Sequence, residues 1–356
     1  MKKLIKTVAL STSLVLAGLA SSVATAADKP VLLKTPIAFG SHLPALGSPI
    51  KWIESQLPLI SAGKVKMKVY EPGKLVAPLE ILDAVSSGKV NSGYATAGYW
   101  AGKMPAASIF SAIPFGPEAP EFMAWLYYGN GLKLYQEMYD TAGYNVHVEP
   151  CALISPETSG WFKNEITSKE DLKGLNMRFF GLGGQVMQKL GVSTSLLAGG
   201  EIFGALEKGA IDATEFSQPA IDQLLGFYKI AKHNYFPGWH QQATLFELLI
   251  NKDVWGKMSD SQKAQISATC KASITNSIAE SEYIQFDAMI KNKHERGVQI
   301  HSWSNDMLKT FKRAWAEVVL EQSEDEMFNK VYSDLEGFRS DYAIWASRAF
   351  IPRGGL

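Results

Sequence analysis

Glu80-Ile81-Leu82-Asp83-Ala84-Val85-Ser86-Ser87-Gly88-Lys89-Val90-Asn91-Ser92-Gly93-Tyr94 is echoed 121 positions later. The later segment reads Glu201-Ile202-Phe203-Gly204-Ala205-Leu206-Glu207-Lys208-Gly209-Ala210-Ile211-Asp212-Ala213-Thr214-Glu215. Glu, Ile, Ala and Gly recur in register. Each copy spells a short helix, a glycine suited to the left-handed position after a helix, and then a strand. Helix–glycine–strand units occur in any α/β protein, but identity in register points to one unit used twice, once in each of two lobes. The strand ends, Tyr94 to Tyr99 and Glu215-Phe216, are then expected to face each other across a cleft, where open α/β sheets bind ligands.

The flanking sequence fits this frame. From Leu32, short apolar strands alternate with amphipathic helices, the pattern of a mostly parallel α/β sheet. Ser48-Pro49 opens a helix, and Ile50, Ile53, Leu57 and Ile60 recur at helical spacing. Pro58 is expected to kink or end it. Lys64 to Tyr70 alternates, with Val65, Met67 and Val69 on one face, as a half-buried strand does. Phe236-Pro237-Gly238-Trp239-His240 reads as a turn leading into an apolar strand, Leu245 to Asn251. Thr269 to Met289 and Asp306 to Leu335 read as long amphipathic helices. The fold expected is a two-lobed α/β one of type II-like arrangement, with a hinge and long C-terminal helices. Lobe I takes residues 27–150 plus about 240–285, and lobe II takes 151–239 plus about 286–335. Residues 336–356 form a C-terminal tail or helix.

The N-terminus assigns a compartment. Lys2, Lys3 and Lys6 precede an apolar run from Val8 to Ala20, and Ala24-Thr25-Ala26 offers small residues for cleavage. The run is shorter than the roughly 20 residues needed to span a bilayer. Residues 1–26 therefore read as a signal peptide, and the mature protein as periplasmic. The whole chain carries 35 basic and 35 acidic side chains. Loss of the three leader lysines leaves a slight acidic excess, which offers no attraction for nucleic acid or anionic lipid. The chain has 2 cysteines, Cys151 and Cys270. An oxidising periplasm permits a disulfide, but two cysteines make no disulfide framework, and two separate buried thiols are the expectation.

Enzyme signatures are missing: there is no G-x-S-x-G elbow, no H-E-x-x-H and no P-loop. The histidines at 42, 147, 233, 240, 294 and 301 never stand at metal-ligand spacing. Gly181-Leu182-Gly183-Gly184 lacks the full dinucleotide register and suits close packing or a ligand carboxylate at a helix N-terminus. Arg178 lies in the apolar run Leu175 to Phe180, where a guanidinium is costly unless it meets an anion, either a ligand carboxylate or an internal salt bridge. Glu215 and Glu247 interrupt apolar strands, and buried carboxylates protonate, pair or bind a cation. Glu157, by itself, reads as a solvated acid in a turn. Two carboxylates in an oxygen-rich site favour calcium, with sodium second.

These residues carry a resemblance. Ser159-Gly160-Trp161-Phe162, Asp171 to Arg178 and Ala205 to Glu215 resemble the solute-binding proteins of TRAP transporters. Gly181 to Gly191, Gly199 to Ile202 and Tyr235 to Trp239 resemble the branch that binds 2-oxoacids and lactate. The resemblance implies that Arg178 takes the ligand carboxylate and that a metal bridges protein and ligand. Glu215 supplies it a carboxylate, Phe216 a main-chain carbonyl and Glu157 a side chain. The branch carries glutamine at the place of Glu157 and tryptophan at that of Phe216, so this chain offers the metal an extra negative charge. Tyr99 and Trp100 match an aromatic pair of the other lobe, and Trp239 and Glu247 are further candidates for the ligand. The implied function is capture, without catalysis, of a small 2-oxo or 2-hydroxy monocarboxylate for a membrane permease, with a homodimer as a further implied partner. Two alternatives stand beside it. A metal-free receptor for a dicarboxylate or sugar acid needs a second cation near Arg178, for which Lys103 is the candidate. A periplasmic enzyme would use Glu157 and Glu215 as an acid–base pair.

Overall fold

The computed structural model describes residues 29–349. The signal peptide expected at 1–26 lies outside them. The chain begins with β1 (Val31–Pro36), α1 (Ser48–Ile60), β2 (Val65–Tyr70), α2 (Ile81–Ser86) and β3 (Ser92–Ala95). α3 (Ala119–Tyr128), α4 (Gly131–Thr141) and β4 (Val146–Ile154) complete the first pass through one lobe. The other lobe contains β5 (Gly160–Phe162), β6 (Asn176–Arg178), α5 (Gly181–Lys189), β7 (Ser193–Ser195) and α6 (Gly199–Glu207). It continues with β8 (Ala213–Thr214), α7 (Pro219–Leu225) and β9 (His233–Phe236). The chain then returns through β10 (Thr244–Asn251), α8 (Lys252–Trp255) and α9 (Asp260–Tyr283). α10 (Gln285–His294), β11 (Gln299–Ser302), α11 (Asn305–Gln322) and α12 (Glu326–Ala349) follow.

The echo is visible in three dimensions. β1 pairs in parallel with β2 and is bridged to β3, while β3, β10 and β4 form an antiparallel run. In the second lobe β6 pairs in parallel with β7 and β8, and β8, β5 and β9 run antiparallel. Both sheets thus follow one plan, with β3 and β8, the two echoed strands, in equivalent places. Gly88 and Gly209 have φ of 77° and 72°, the left-handed turn that ends α2 and α6 alike. The sheets are mixed where a mostly parallel one is expected. The difference arises because β10 and β5 each enter from the opposite lobe and run against their neighbours.

Two segments make that exchange. Residues 155–159 carry β4 into β5, and 237–243 carry β9 into β10. Their backbones meet: the Glu157 amide donates to the Gln241 carbonyl at 3.2 Å. A Cβ at Gly238 would stand 2.2 Å from the Glu157 carbonyl oxygen, so only glycine permits the approach. A third crossing occurs where α9, packed on α1 and β4, gives way to α10, packed on α7.

Other expectations need correction. Cys151 on β4 and Cys270 on α9 are joined in a disulfide, not held as separate thiols, because strand and helix pack with the two Cα atoms 4.2 Å apart. The bridge closes a loop of 119 residues, worth about 5 kcal/mol in the chain-entropy account. Pro58 does not end α1, which continues to Ile60. The helix expected over 306–335 is two helices: α11 stops at Gln322, and the Asp325 carboxylate accepts from the Phe328 amide to start α12. α11 packs on α5 and α12 on α3 and α4, so this pair of helices straps the lobes together.

Candidate functional site

Strand pairing creates the charged centre. Arg178 ends β6 and pairs in register with Thr214 on β8, so Glu215, the next residue, emerges beside the guanidinium. Arg178 Nη1 donates to Glu215 Oε2 at 2.8 Å and to the Glu215 carbonyl at 2.5 Å, and Nε reaches the Leu197 carbonyl at 3.3 Å. The Phe180 amide also donates to Glu215 Oε2, at 3.1 Å. The internal salt bridge that the sequence left open is therefore present, and Arg178 lines the inter-lobe cavity as well.

That cavity is tight, with about 20 Å³ open to water centres, room for one or two waters. Phe39, Thr96 and Tyr99 line it from the first lobe and Arg178, Phe180 and Phe216 from the second. Glu157, Gln241 and Thr244 reach it from the two crossovers or their ends. The Tyr99 hydroxyl is buried without a hydrogen-bond partner. Burial, with the Glu215 and Glu157 charges behind it, pushes its pKa up to about 12 against the pull of Arg178, so Tyr99 remains a donor.

Glu157 is 3 % exposed, not a solvated loop acid. Thr244 Oγ1 donates to its Oε1 at 3.0 Å. Burial, then the Glu215 and Asp222 charges, push its pKa well above the carboxylate range. Glu215 has the opposite fate: burial works against it, but Arg178 and His240 hold its pKa below the usual value. Asp222 on α7 is a third buried acid, pushed up to about 8 mainly by burial although Trp161 Nε1 donates to it at 2.7 Å.

Glu157, Glu215 and His240 each present a ligand atom, all within 4.8 Å of one another. The residues fit a cation on charge grounds. Arg178 matches one carboxylate of the pair, and the other carries a burial cost that a proton or a metal ion would relieve. The Gln241 amide lies against the same group. One end is 2.9 Å from Glu215 Oε1, 3.0 Å from His240 Nε2 and 3.2 Å from Glu157 Oε2. The other end is 2.8 Å from Thr244 Oγ1.

The structure thus brings together Tyr99, Glu157, Arg178, Glu215 and Phe216 out of the residues singled out by sequence. Trp100, Glu247, Trp239 and Lys103 stand elsewhere. Trp100 Nε1 donates to Glu247 Oε1 at 2.8 Å inside the first lobe, where the Tyr135 and Tyr139 hydroxyls also donate to Glu247. Trp239 stacks on Phe311 at 4.5 Å and lines a wider surface groove with Phe115 and Arg339. Lys103 pairs with Asp83 on the surface. His240, which the sequence shows only in a turn and without metal-ligand spacing, joins Glu157 and Glu215 in space, and Gln241 is not marked by sequence at all, because their neighbours in the site come from distant strands. The one available signal was their position in a turn between strands of different lobes.

Comparison with known proteins narrows the chemistry. The family model of the bacterial extracellular solute-binding proteins, family 7, matches residues 52–326. The monocarboxylate 2-oxoacid-binding periplasmic protein of Nostoc sp. (strain PCC 7120) is 36% identical over 289 residues, 80% of this chain and 77% of its own. A TRAP transporter solute-binding protein from Bordetella bronchiseptica RB50 superposes with a TM-score of 0.87 at 28% identity, covering 90% of this chain and 95% of that one. It was crystallised as a dimer with copurified calcium and picolinate. A TRAP periplasmic solute-binding protein from Pseudoalteromonas atlantica T6c, with bound sodium and pyruvate, gives 0.86 at 27% identity, covering 90% and 97%.

Proposed function

Because the chain belongs to the bacterial extracellular solute-binding proteins of family 7, the solute receptors of TRAP transporters, we propose that it captures a small 2-oxo or 2-hydroxy monocarboxylate in the periplasm. The observation that carries this reading is the pair of buried carboxylates, Glu157 and Glu215, served by one arginine beside the unpaired Tyr99 hydroxyl. The ligand carboxylate meets Arg178 at Nη2, since Nη1 and Nε already donate to Glu215 and Leu197, and accepts from Tyr99. Glu157, Glu215 and the Phe216 main-chain carbonyl hold the cation, with calcium favoured over sodium because two acids raise the charge of the cage. When bound, the ion offsets the second carboxylate and supplies a positive charge to the 2-oxo or 2-hydroxy oxygen. Closure of the lobes excludes water and strengthens both contacts.

The relatives' calcium, sodium and pyruvate support this assignment. A permease in the membrane then reads the closed form, and pairing into a homodimer accompanies it. No helix among the described residues is long and apolar enough to cross a membrane. The metal-free dicarboxylate reading loses its second cation, since Lys103 is committed to Asp83. The enzyme reading draws on one feature, the opposite pKa directions of Glu157 and Glu215. It requires product to accumulate when the protein is incubated with pyruvate or lactate.

Mass spectrometry of ligand released from the purified protein, followed by calorimetry with pyruvate, lactate, longer 2-oxoacids and 2-oxoglutarate, tests the proposal. Monocarboxylates should bind at least about 100-fold more tightly than 2-oxoglutarate, about 3 kcal/mol. Tighter binding of the dicarboxylate would refute it.

A further inference from the structure

We propose that Gln241 and His240 belong to the cation's protein shell: the Gln241 amide oxygen and His240 Nε2 are ligands, and the Gln241 amide reverses when the ion leaves. This rests on the cation-assisted reading of the site.

The hydrogens available decide which way the amide faces. If the amide nitrogen faces inward, its two N–H bonds confront three acceptors, Glu215 Oε1, His240 Nε2 and Glu157 Oε2, at 2.9, 3.0 and 3.2 Å. The amide oxygen then accepts from Thr244 Oγ1 at 2.8 Å, an arrangement that suits the ion-free protein. If the oxygen faces inward, the bonds at Thr244 run the other way. Gln241 donates to Thr244, and Thr244 donates to Glu157, in one consistent chain. Four acceptor atoms then converge on one another, and a positive charge among them removes the repulsion. Without an ion the inward oxygen would face Glu215 Oε1 at 2.9 Å with no hydrogen between them.

The surrounding packing holds these groups in place. Gln241 is 3 % exposed and His240 1 %. The imidazole lies edge-on to Phe179 and Trp239, with centroids 4.9 and 5.5 Å away. A Cβ at Gly183 would come within 2.8 Å of the His240 Cβ. The proposed shell therefore draws one acid from the first crossover, two ligands from the second, and one acid with the Phe216 carbonyl from the end of β8, so the ion ties the hinge segments to the second lobe. Amide and carboxylate oxygens suit calcium, but an imidazole nitrogen raises the site's preference for manganese, cobalt and zinc.

Manganese is the probe. Chelator-stripped full-length protein, saturated with pyruvate and loaded with Mn²⁺, should show imidazole ¹⁴N coupling in pulsed paramagnetic resonance, and His240→Gln should lose it. Gln241→Leu should weaken Mn²⁺ binding at least tenfold, while Gln241→Glu, which keeps an inward oxygen, should bind within threefold of wild type or more tightly. Thermal melting of each variant separates loss of a ligand from loss of the fold. Absent ¹⁴N coupling in the wild type removes His240 from the shell, and unchanged affinity in Gln241→Leu removes Gln241, with the cation reading intact in both cases. Failure of the wild type to bind any of Mn²⁺, Ca²⁺ or Na⁺ overturns the shell and the cation reading together.

Discussion

Glu247 and Glu157 are both buried glutamates near strand β10, and their surroundings differ in kind. Glu247 interrupts β10 itself, at the register shift beside Phe246, and lies at 0 % exposure. Trp100, Tyr135 and Tyr139 all donate to it, so its oxygens are satisfied by neutral groups within one lobe. Burial still pushes its pKa up to about 6, with those bonds holding it back. Glu157 has the Thr244 hydroxyl, a share of the Gln241 amide, and a second carboxylate close by. The first acid is a finished internal network, and the second is an unfinished one that opens on a cavity between lobes. A buried charge marks a binding site when its neighbours leave it short of partners.

Substitutions at the two acids and their partners separate the two environments. Arg178→Met should have the largest effect, a loss of pyruvate affinity of at least about 1000-fold by calorimetry. It removes the carboxylate's partner and strands Glu215, a change worth about 3–5 kcal/mol for a buried pair. Glu157→Gln should come next. It halves the acid pair's charge, so calcium affinity should fall about 10–100-fold while sodium-supported pyruvate binding changes less than about fivefold. Tyr99→Phe removes one donor and should cost about 1 kcal/mol, roughly fivefold in affinity.

Glu247→Gln should leave pyruvate affinity within about twofold, a change within the scatter expected for a distant site. Its signature is in stability. The folded pKa of Glu247 is raised to about 6 from 4.5, so below the lower value the acid is protonated in both states and carries no penalty. As pH rises through the upper value the folded state must ionise a buried group, and stability falls by about 2 kcal/mol. Urea unfolding at pH 4.5 and pH 7 should show a fall in Glu247→Gln that is smaller than the wild type's by about this amount, the remainder belonging to the other raised acids, Glu157 and Asp222.

The two-lobed plan was legible because the echo marks β3 and β8, the strands whose ends meet across the cleft. Arg178 and Glu215 were legible because a charge in an apolar strand is costly wherever the strand goes. Glu247 satisfies the same criterion and is structural, since sequence shows the charge but not the tyrosines and tryptophan that answer it. Glu157 sits in a turn, where acids are ordinary, and only the resemblance singled it out. His240 and Gln241 lay beyond reach, because the crossovers meet through tertiary pairing. The Cys151–Cys270 bridge is of the same kind, joining a strand to a helix 119 positions on. The mixed sheets and the break between α11 and α12 follow from strand exchange and a local cap, neither of which hydrophobic periodicity records.

If the acid pair at the crossovers works through a bound ion, removing the ion should remove most of the ligand affinity. Calorimetry of pyruvate into protein stripped by stringent chelation, in sodium-free buffer, tests it most directly, with calcium then restored one equivalent at a time. Stripping should lower pyruvate affinity at least about 100-fold, some 3 kcal/mol, and one equivalent of calcium should restore it. Unchanged affinity in the stripped protein would contradict a role for the ion.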